Sequence, residues 1–242
     1  MATLAVAPPA LTTVAVAGSD AVFPVNRVFC IGRNYSWQAD EPAPQAMPAW
    51  FMKPATAVVA ASGELPYPPE THDFCHEVEL VVAIGWGGRD IHPDDVETRH
   101  VWGYAIGLDL TRRDLQQRAK LAGGPWEAAK AFDASAPCGP LRPAAQCGHP
   151  RSGAIWLQVN GQVRQAADLA GLLWPVPQLV AMLSRSVALQ PGDLIYTGTP
   201  AGVGPLLPGD LIHAGIDGLG DIHMQVGSAW PAHPQSSTGA QA

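Results

Sequence analysis

The chain has no CxxC pair, no run of 18 apolar residues, no basic stripe and no internal repeat, and each absence removes a class of protein. Its four cysteines, Cys30, Cys75, Cys138 and Cys147, are scattered. They form no short-domain disulfide framework and read as reduced thiols of a cytoplasmic protein. Without a long apolar run no membrane span is expected. Only 14% of residues are charged and the formal net charge is −7, so there is no surface to neutralise phosphates and nucleic acid is not an expected partner. The glycine-rich stretch 198–204 lacks the GxxxxGK[ST] order of a nucleotide-phosphate loop. Residues 1–25 lack a basic n-region and are interrupted by Pro8-Pro9, so they do not read as a signal peptide.

What is present is apolar and full of turns. Hydrophobic residues make up 47% of the 242, enough for the core of one large domain. With 25 glycines and 24 prolines, short strands and turns are expected rather than long helices. Residues 1–25 read as a loose or short-stranded lead-in, 26–228 as the catalytic metal-binding domain, and 229–242 as a disordered tail. Strands are expected at 27–31, 55–61, 77–84 and 193–196, and the apolar stretch 101–108 leads into Asp109. A hairpin is expected where 155–159 and 163–165 flank Asn160-Gly161. Residues 34–50 suit a mobile loop. Thr111-Arg112-Arg113-Asp114 matches a capping box opening a helix to about Leu121, and 175–187 has helical spacing. Strands dominate without a βαβ rhythm, which predicts a β-rich α+β domain.

The chemistry centres on three acids, Glu77 and Glu79 in His76-Glu77-Val78-Glu79-Leu80, and Asp109 in Gly107-Leu108-Asp109-Leu110. Strand alternation points Glu77 and Glu79 to one face. Two carboxylates side by side on a buried strand repel and lose hydration unless a cation sits between them. Oxygen ligands alone favour Mg2+, with Mn2+ or Ca2+ next. The bland reading of the same pattern is a solvent-facing strand edge. His76 should face away from the glutamates and is read as structural.

Several segments together resemble the fumarylacetoacetate hydrolase family, most closely its fumarylpyruvate and acylpyruvate hydrolase branch. They are Gly32-Arg33-Asn34-Tyr35, Phe51-Met52-Lys53-Pro54, His76-Glu77-Val78-Glu79-Leu80, Asp109-Leu110-Thr111-Arg112-Arg113-Asp114-Leu115-Gln116, Ala129-Lys130-Ala131-Phe132-Asp133, Val159-Asn160-Gly161, and Pro191-Gly192-Asp193 with Thr197-Gly198-Thr199-Pro200-Ala201-Gly202-Val203-Gly204. They fall in the family's order over about residues 27 to 227. The resemblance implies a mixed β-roll fold, a homodimer, and Mg2+ held by Glu77, Glu79 and Asp109. It places Lys130 beside metal and substrate, and assigns substrate contacts to Gln116 and Thr199. Arg33 is a substrate anchor or an ion-pair residue.

The family's hydrolases carry a water-activating His and Glu in the segment after Gly-Arg-Asn-Tyr, and those positions here are Gln38 and Glu41. Glutamine does not titrate and cannot serve as a base. Glu41 can deprotonate water directly or by relay, and His72 is another candidate. The expected function is Mg2+-dependent C–C hydrolysis of an acylpyruvate such as fumarylpyruvate, in aromatic (gentisate-type) catabolism. The alternatives are oxaloacetate decarboxylation or keto–enol tautomerisation at the same metal site, and a non-catalytic homologue that binds metal and 2-oxo acid. For a dicarboxylate substrate, Arg33, Lys53, Arg112 and Arg113 are the candidate basic contacts.

Overall fold

The structure, a computed structural model, describes residues 4–35 and 48–229. Gln38, Glu41, most of the expected 34–50 loop and the tail beyond Ala229 lie outside them. The fold is β-rich α+β, built on two mixed sheets. The larger runs, neighbour to neighbour, through Ala49–Lys53, Val28–Gly32, Leu194–Tyr196, Val78–Ile84, Val101–Leu108, Ala136–Cys138 and Val58–Ala60. The second has five strands in the order Gln162–Asp168, Ala154–Val159, Leu211–Ile216, Gly220–Ala229 and Ser62–Tyr67. A small third sheet joins Thr111–Arg112, Phe74–His76 and Gly204–Pro205.

The central strand Val78–Ile84 shows why the sequence folds this way. All its residues are buried, as expected of a strand covered on both faces. Leu80, Val82 and Ile84 enter the main core with Ile106, Ile155, Leu157, Ile212 and Ile216, which joins the two sheets. Val81 and Ala83 face the other way, into a second core with Val28, Cys30, Leu194 and Tyr196. Each such side chain contributes about 1.5–3 kcal/mol by leaving water. The lead-in closes that second core. Thr13–Ala15 pairs with Val22–Pro24, and Val14, Val16, Phe23 and Val25 pack into it.

The Asn160-Gly161 hairpin forms as expected, between Ala154–Val159 and Gln162–Asp168. Asn160 has φ 52° and Gly161 φ 75°, the two positive values that a type I′ turn requires. The helix Val176–Ser186 buries Val176, Leu179, Val180 and Leu183, the residues at helical spacing. Three expectations change. Residues 55–57 form a 3-10 turn, in which the Pro54 carbonyl accepts from Ala57 N–H, and only Val58–Ala60 is strand. Ala49 and Trp50 belong to a strand rather than to the loop, paired with Gly32 and Ile31. The capping box does not form. Thr111 and Arg112 pair with Cys75 and Phe74, and the helix Arg113–Ala122 starts without a side-chain cap.

Gly107 sits opposite Glu79 in the ladder. A Cβ there would lie 2.5 Å from Val81 Cγ2 and 2.6 Å from Tyr196 Cε1. Both neighbours are buried, and Tyr196 Oη donates to the Ala136 or Pro137 carbonyl, at 3.1 and 3.2 Å. Gly107→Ala is therefore expected to destabilise by about 1–3 kcal/mol through overpacking. Urea denaturation measures this, and a loss under about 0.5 kcal/mol would show that the wall yields.

Candidate active site

Register brings the three acids together. Val78 pairs with Leu108 across the antiparallel Val78–Ile84 and Val101–Leu108 strands. Glu77 and Asp109 are the next residues outward, and Asp109 N–H donates to the Glu77 carbonyl at 2.9 Å. Glu79 stands two residues along from Glu77. One carboxylate oxygen from each lies within 4.8 Å of the others. All three residues are buried, Glu79 and Asp109 almost completely. The solvent-facing reading of Glu77-Val78-Glu79 is thereby ruled out.

Two buried lysines face this group. Lys130 Nζ lies 3.0 Å from Glu77 Oε2 and 2.9 Å from Asp109 Oδ2. Lys53 Nζ lies 2.9 Å from Asp109 Oδ1, but its protons go to the carbonyls of Leu110, Lys130 and Ser135, at 3.0, 2.6 and 2.8 Å. An ammonium has three donors, so Asp109 Oδ1 is compensated in charge yet accepts no hydrogen bond. Glu77 Oε1 accepts from Thr111 Oγ1 at 2.8 Å, which is where the expected capping hydroxyl goes. Glu79 Oε2 accepts from Gly198 N–H at 2.7 Å and has no lysine beside it.

The protonation states follow. Burial pushes the Asp109 carboxyl up, but Lys130 and Lys53 outweigh it and hold the pKa below the ordinary value. Burial pulls Lys130 down, and Asp109 and Glu77 more than restore it, keeping it charged. Glu79 goes the other way. Burial, then the charges of Asp109 and Glu77, lift its carboxyl well above the usual range. Three converging carboxylates, one oxygen without a hydrogen bond and a deficit of positive charge suit a hard divalent cation.

The remaining expected residues fall in different places. Gln116 is buried on its helix rather than a surface residue, and its Oε1 accepts from Arg113 Nη1 at 2.8 Å and Lys120 Nζ at 3.3 Å. Thr199 Oγ1 donates to the Val78 carbonyl at 2.8 Å. Arg33 is exposed, with φ 58°. His72 is exposed, and its main-chain N–H points toward Asp114 Oδ2 at 3.5 Å. His76 is buried, with Nδ1 2.9 Å from Gln165 Oε1.

Gln165 and Asn34 hold the site together, and sequence reasoning assigned neither a role. Gln165 Oε1 also accepts from Val78 N–H, at 3.1 Å. Its Nε2 donates to Thr199 Oγ1 at 2.8 Å and to the Pro200 carbonyl at 2.9 Å. One fully buried carboxamide thus ties the Glu77-Val78-Glu79 backbone to the glycine-rich loop. Asn34 Nδ2 donates to the Thr197 carbonyl at 2.8 Å, and Oδ1 accepts from Trp174 N–H at 2.8 Å. Only the place of Asn34 within Gly32-Arg33-Asn34-Tyr35 hinted at this. Gln165 sits in an ordinary hairpin strand and gave no signal.

A second set of ligand-type side chains, His213, Asp221 and His223, lies on the exposed face of the five-stranded sheet. Both imidazole Nε2 atoms reach Asp221 Oδ2, at 2.7 and 3.0 Å, and the set is satisfied within itself. No helix among the described residues is long and apolar enough to cross a membrane.

Residues 27–227 match the profile described as fumarylacetoacetate (FAA) hydrolase C-terminal. The fumarylpyruvate hydrolase of Ralstonia sp is 41% identical over 180 residues, 74% of this chain and 93% of that protein. The oxaloacetate tautomerase YcgM of Escherichia coli (strain K12) is 40% identical over 199 residues, 81% of this chain and 90% of that one. The crystal structure of fumarylpyruvate hydrolase from Pseudomonas aeruginosa in complex with Mn2+ and pyruvate superposes with a TM-score of 0.88 at 48% identity. That match covers 93% of this chain and 100% of the other. The buried carboxylates and lysines, the mixed sheets around them and these likenesses converge on one conclusion: the chain belongs to the fumarylacetoacetate hydrolase family.

Proposed function

We propose that this protein is a divalent-metal-dependent hydrolase that cleaves the C–C bond of an acylpyruvate such as fumarylpyruvate, in aromatic (gentisate-type) catabolism. The observation that carries the reading is the buried Glu77, Glu79 and Asp109 cluster with Lys130 hydrogen-bonded across two of its members. In this reading the three carboxylates hold Mg2+; Mn2+ is the ion named in the Pseudomonas aeruginosa complex, and Ca2+ is a further candidate. A homodimer and a cytoplasmic setting belong to the same reading. The choice of hydrolysis follows the 48% likeness to a fumarylpyruvate hydrolase whose bound pyruvate is a product of such a cleavage.

A bound divalent ion supplies a chelating, electron-withdrawing centre for the carboxylate and keto oxygen of a 2-oxo acid. The chain's residues do the rest. Water adds to the acyl carbonyl, and the bond from that carbon to the methylene breaks. The electron pair passes into the 2-keto group as an enolate, which takes a proton to become pyruvate. Lys130, fixed and charged, stabilises the developing negative charge. The Thr199 hydroxyl proton is committed to the Val78 carbonyl, which leaves the main-chain N–H as this residue's donor to a substrate carboxylate. Gln116 and Arg33 complete the substrate contacts. Glu41 is the proposed base for the water, with Gln38 beside it in sequence.

A second reading is oxaloacetate tautomerisation, favoured by Gln38 standing where an imidazole is expected and by the likeness to the Escherichia coli tautomerase. Enolate stabilisation alone suffices for that reaction, and for decarboxylation. A protein that binds metal and 2-oxo acid without turnover is the third reading.

Protein stripped with EDTA and reloaded with Mg2+ or Mn2+ is expected to cleave fumarylpyruvate, and Glu77→Ala to abolish turnover. Turnover of oxaloacetate alone would move the assignment to tautomerase or decarboxylase, and oxalate binding without any turnover to the third reading. Gln38→His is expected to raise hydrolysis by about 10²–10⁴-fold if a general base is missing; an unchanged rate would place water activation elsewhere. Metal binding has a pH signature. The Glu79 carboxyl is raised well above its ordinary range by burial and by Asp109 and Glu77, so in this reading the ion competes with a proton there. Metal affinity should therefore increase with pH through the range where Glu79 titrates. Calorimetry in buffers of different ionisation enthalpy should show a proton released, and Glu79→Gln should remove that release.

A further inference from the structure

The helix Arg113–Ala122 carries Arg113, Gln116 and Lys120 at i, i+3 and i+7, along one side. The Gln116 carboxamide oxygen accepts from both cations, Arg113 Nη1 at 2.8 Å and Lys120 Nζ at 3.3 Å. A neutral acceptor thus draws two positive charges to one point. The ion pair of this helix lies elsewhere, between Arg118 and Asp114, and neither Arg113 nor Lys120 has a carboxylate partner among the described residues. Burial, then the charges of Arg113 and Arg33, pull the Lys120 pKa below its ordinary value, and Glu77 acts in the opposite sense. Lys120 therefore belongs to a group of unpaired cations within electrostatic reach of the metal-site carboxylates.

The same lysine adjoins a cavity. Its Nζ lies 5.2 Å from the centre of the Trp126 ring, and the Trp126 and Phe51 rings are 6.0 Å apart. Both rings, with Ala49, Pro125 and Lys130, line a cavity of about 240 Å³. Lys130 at one boundary touches Glu77 and Asp109; Trp126 at another is covered by Lys120. Two of the basic residues picked out in the sequence are already engaged. Lys53 is enclosed by three carbonyls. Arg112 lies 4.4 Å from the Phe132 ring centre and donates to the Ala128 carbonyl.

We propose that Arg113 and Lys120 receive the second carboxylate of a dicarboxylic 2-oxo acid whose planar, unsaturated acyl chain lies along the Phe51–Trp126 cavity, and that Lys120 sets the preference for an acyl group ending in a carboxylate. The proposal rests on the acylpyruvate reading above and names the acyl class: fumaryl-like, rather than acetyl. A carboxylate placed beside Gln116 and within reach of Arg113 Nη1 and Lys120 Nζ satisfies both cations at once, where the carboxamide offers them only a partial charge. Hydrogen bonds to charged groups contribute about 1.5–3 kcal/mol, which corresponds to about a tenfold to hundredfold preference.

Lys120→Met keeps the apolar stem and removes the charge; the side chain is exposed, so folding should survive, as thermal melting will verify. KM and kcat are measured for fumarylpyruvate and acetylpyruvate with the Mn2+-loaded enzyme. The expected result is a KM for fumarylpyruvate that rises at least tenfold more than that for acetylpyruvate, with kcat little changed and Lys120→Arg restoring most of the preference. Added salt should weaken fumarylpyruvate selectively in the wild type and lose that selectivity in the methionine variant. Equal effects on both substrates, or none, would overturn the subsite while leaving the hydrolase reading intact. A wild type inert toward both would instead overturn the hydrolase reading. Calorimetric binding of the two compounds to wild type and Lys120→Met then decides the subsite alone: a selective loss for fumarylpyruvate supports it, an equal loss or none rejects it.

Discussion

Two buried ammoniums face three buried carboxylates, and the third carboxylate is the constraint on which the site turns. Lys130 and Lys53 answer Glu77 and Asp109. Glu79 receives a single main-chain N–H from Gly198. Leaving an unpaired charge in such a place costs several kcal/mol, which is why the Glu79 carboxyl is held well above its ordinary range. The fold keeps this tension in place because the strands carrying the acids are locked by register and by cores on both faces. Val78 opposite Leu108 and Glu79 opposite Gly107 leave the acids no freedom to turn outward. Slipping the strand by one residue would turn Glu79 into the aliphatic main core and Leu80 toward the carboxylates, since both faces are buried.

The electrostatics of the whole chain and of the site have opposite sign. The protein carries a formal charge of −7, which alone would repel an anionic substrate. At the carboxylates, Lys130 and Lys53 offset most of the local negative charge, and Lys120 acts on Glu77 from further out. Once a divalent ion balances Glu79 as well, the pocket becomes positive within an acidic molecule. A low-dielectric cleft of this kind concentrates anions at its mouth. Sparse charge elsewhere, 14% of residues, sharpens the contrast.

Much of this was legible in the sequence because it rests on local rules. The run from Val78 to Ile84 reads as a two-sided strand, Asn160-Gly161 as a type I′ turn, and Val176, Leu179, Val180 and Leu183 as one face of a helix. Glu77 and Glu79 were legible on the same ground, since burying two carboxylates together calls for a cation, whereas Asp109 joined them through the family resemblance. What was not legible depends on partners distant in the chain. Thr111 has the right spacing for a cap, yet its hydroxyl bonds to Glu77, 34 residues away. Lys53 looks like a basic contact for substrate, but carbonyls from residues 110–135 enclose it. Gln165 lies 87 residues from Val78 and 34 from Thr199, and no short-range pattern marks a glutamine that joins them.

Gln165 and Asn34 belong to the frame that positions the acids. Among the described residues, the contacts that position the acids come from Thr111, Lys53, Lys130, Gly198 and Gln165. Asn34 is anchored to Trp174 and Thr197. In the proposed reading, these contacts position the acids alike for hydrolysis and for tautomerisation. That shared frame fits the likeness of this chain both to a fumarylpyruvate hydrolase and to an oxaloacetate tautomerase.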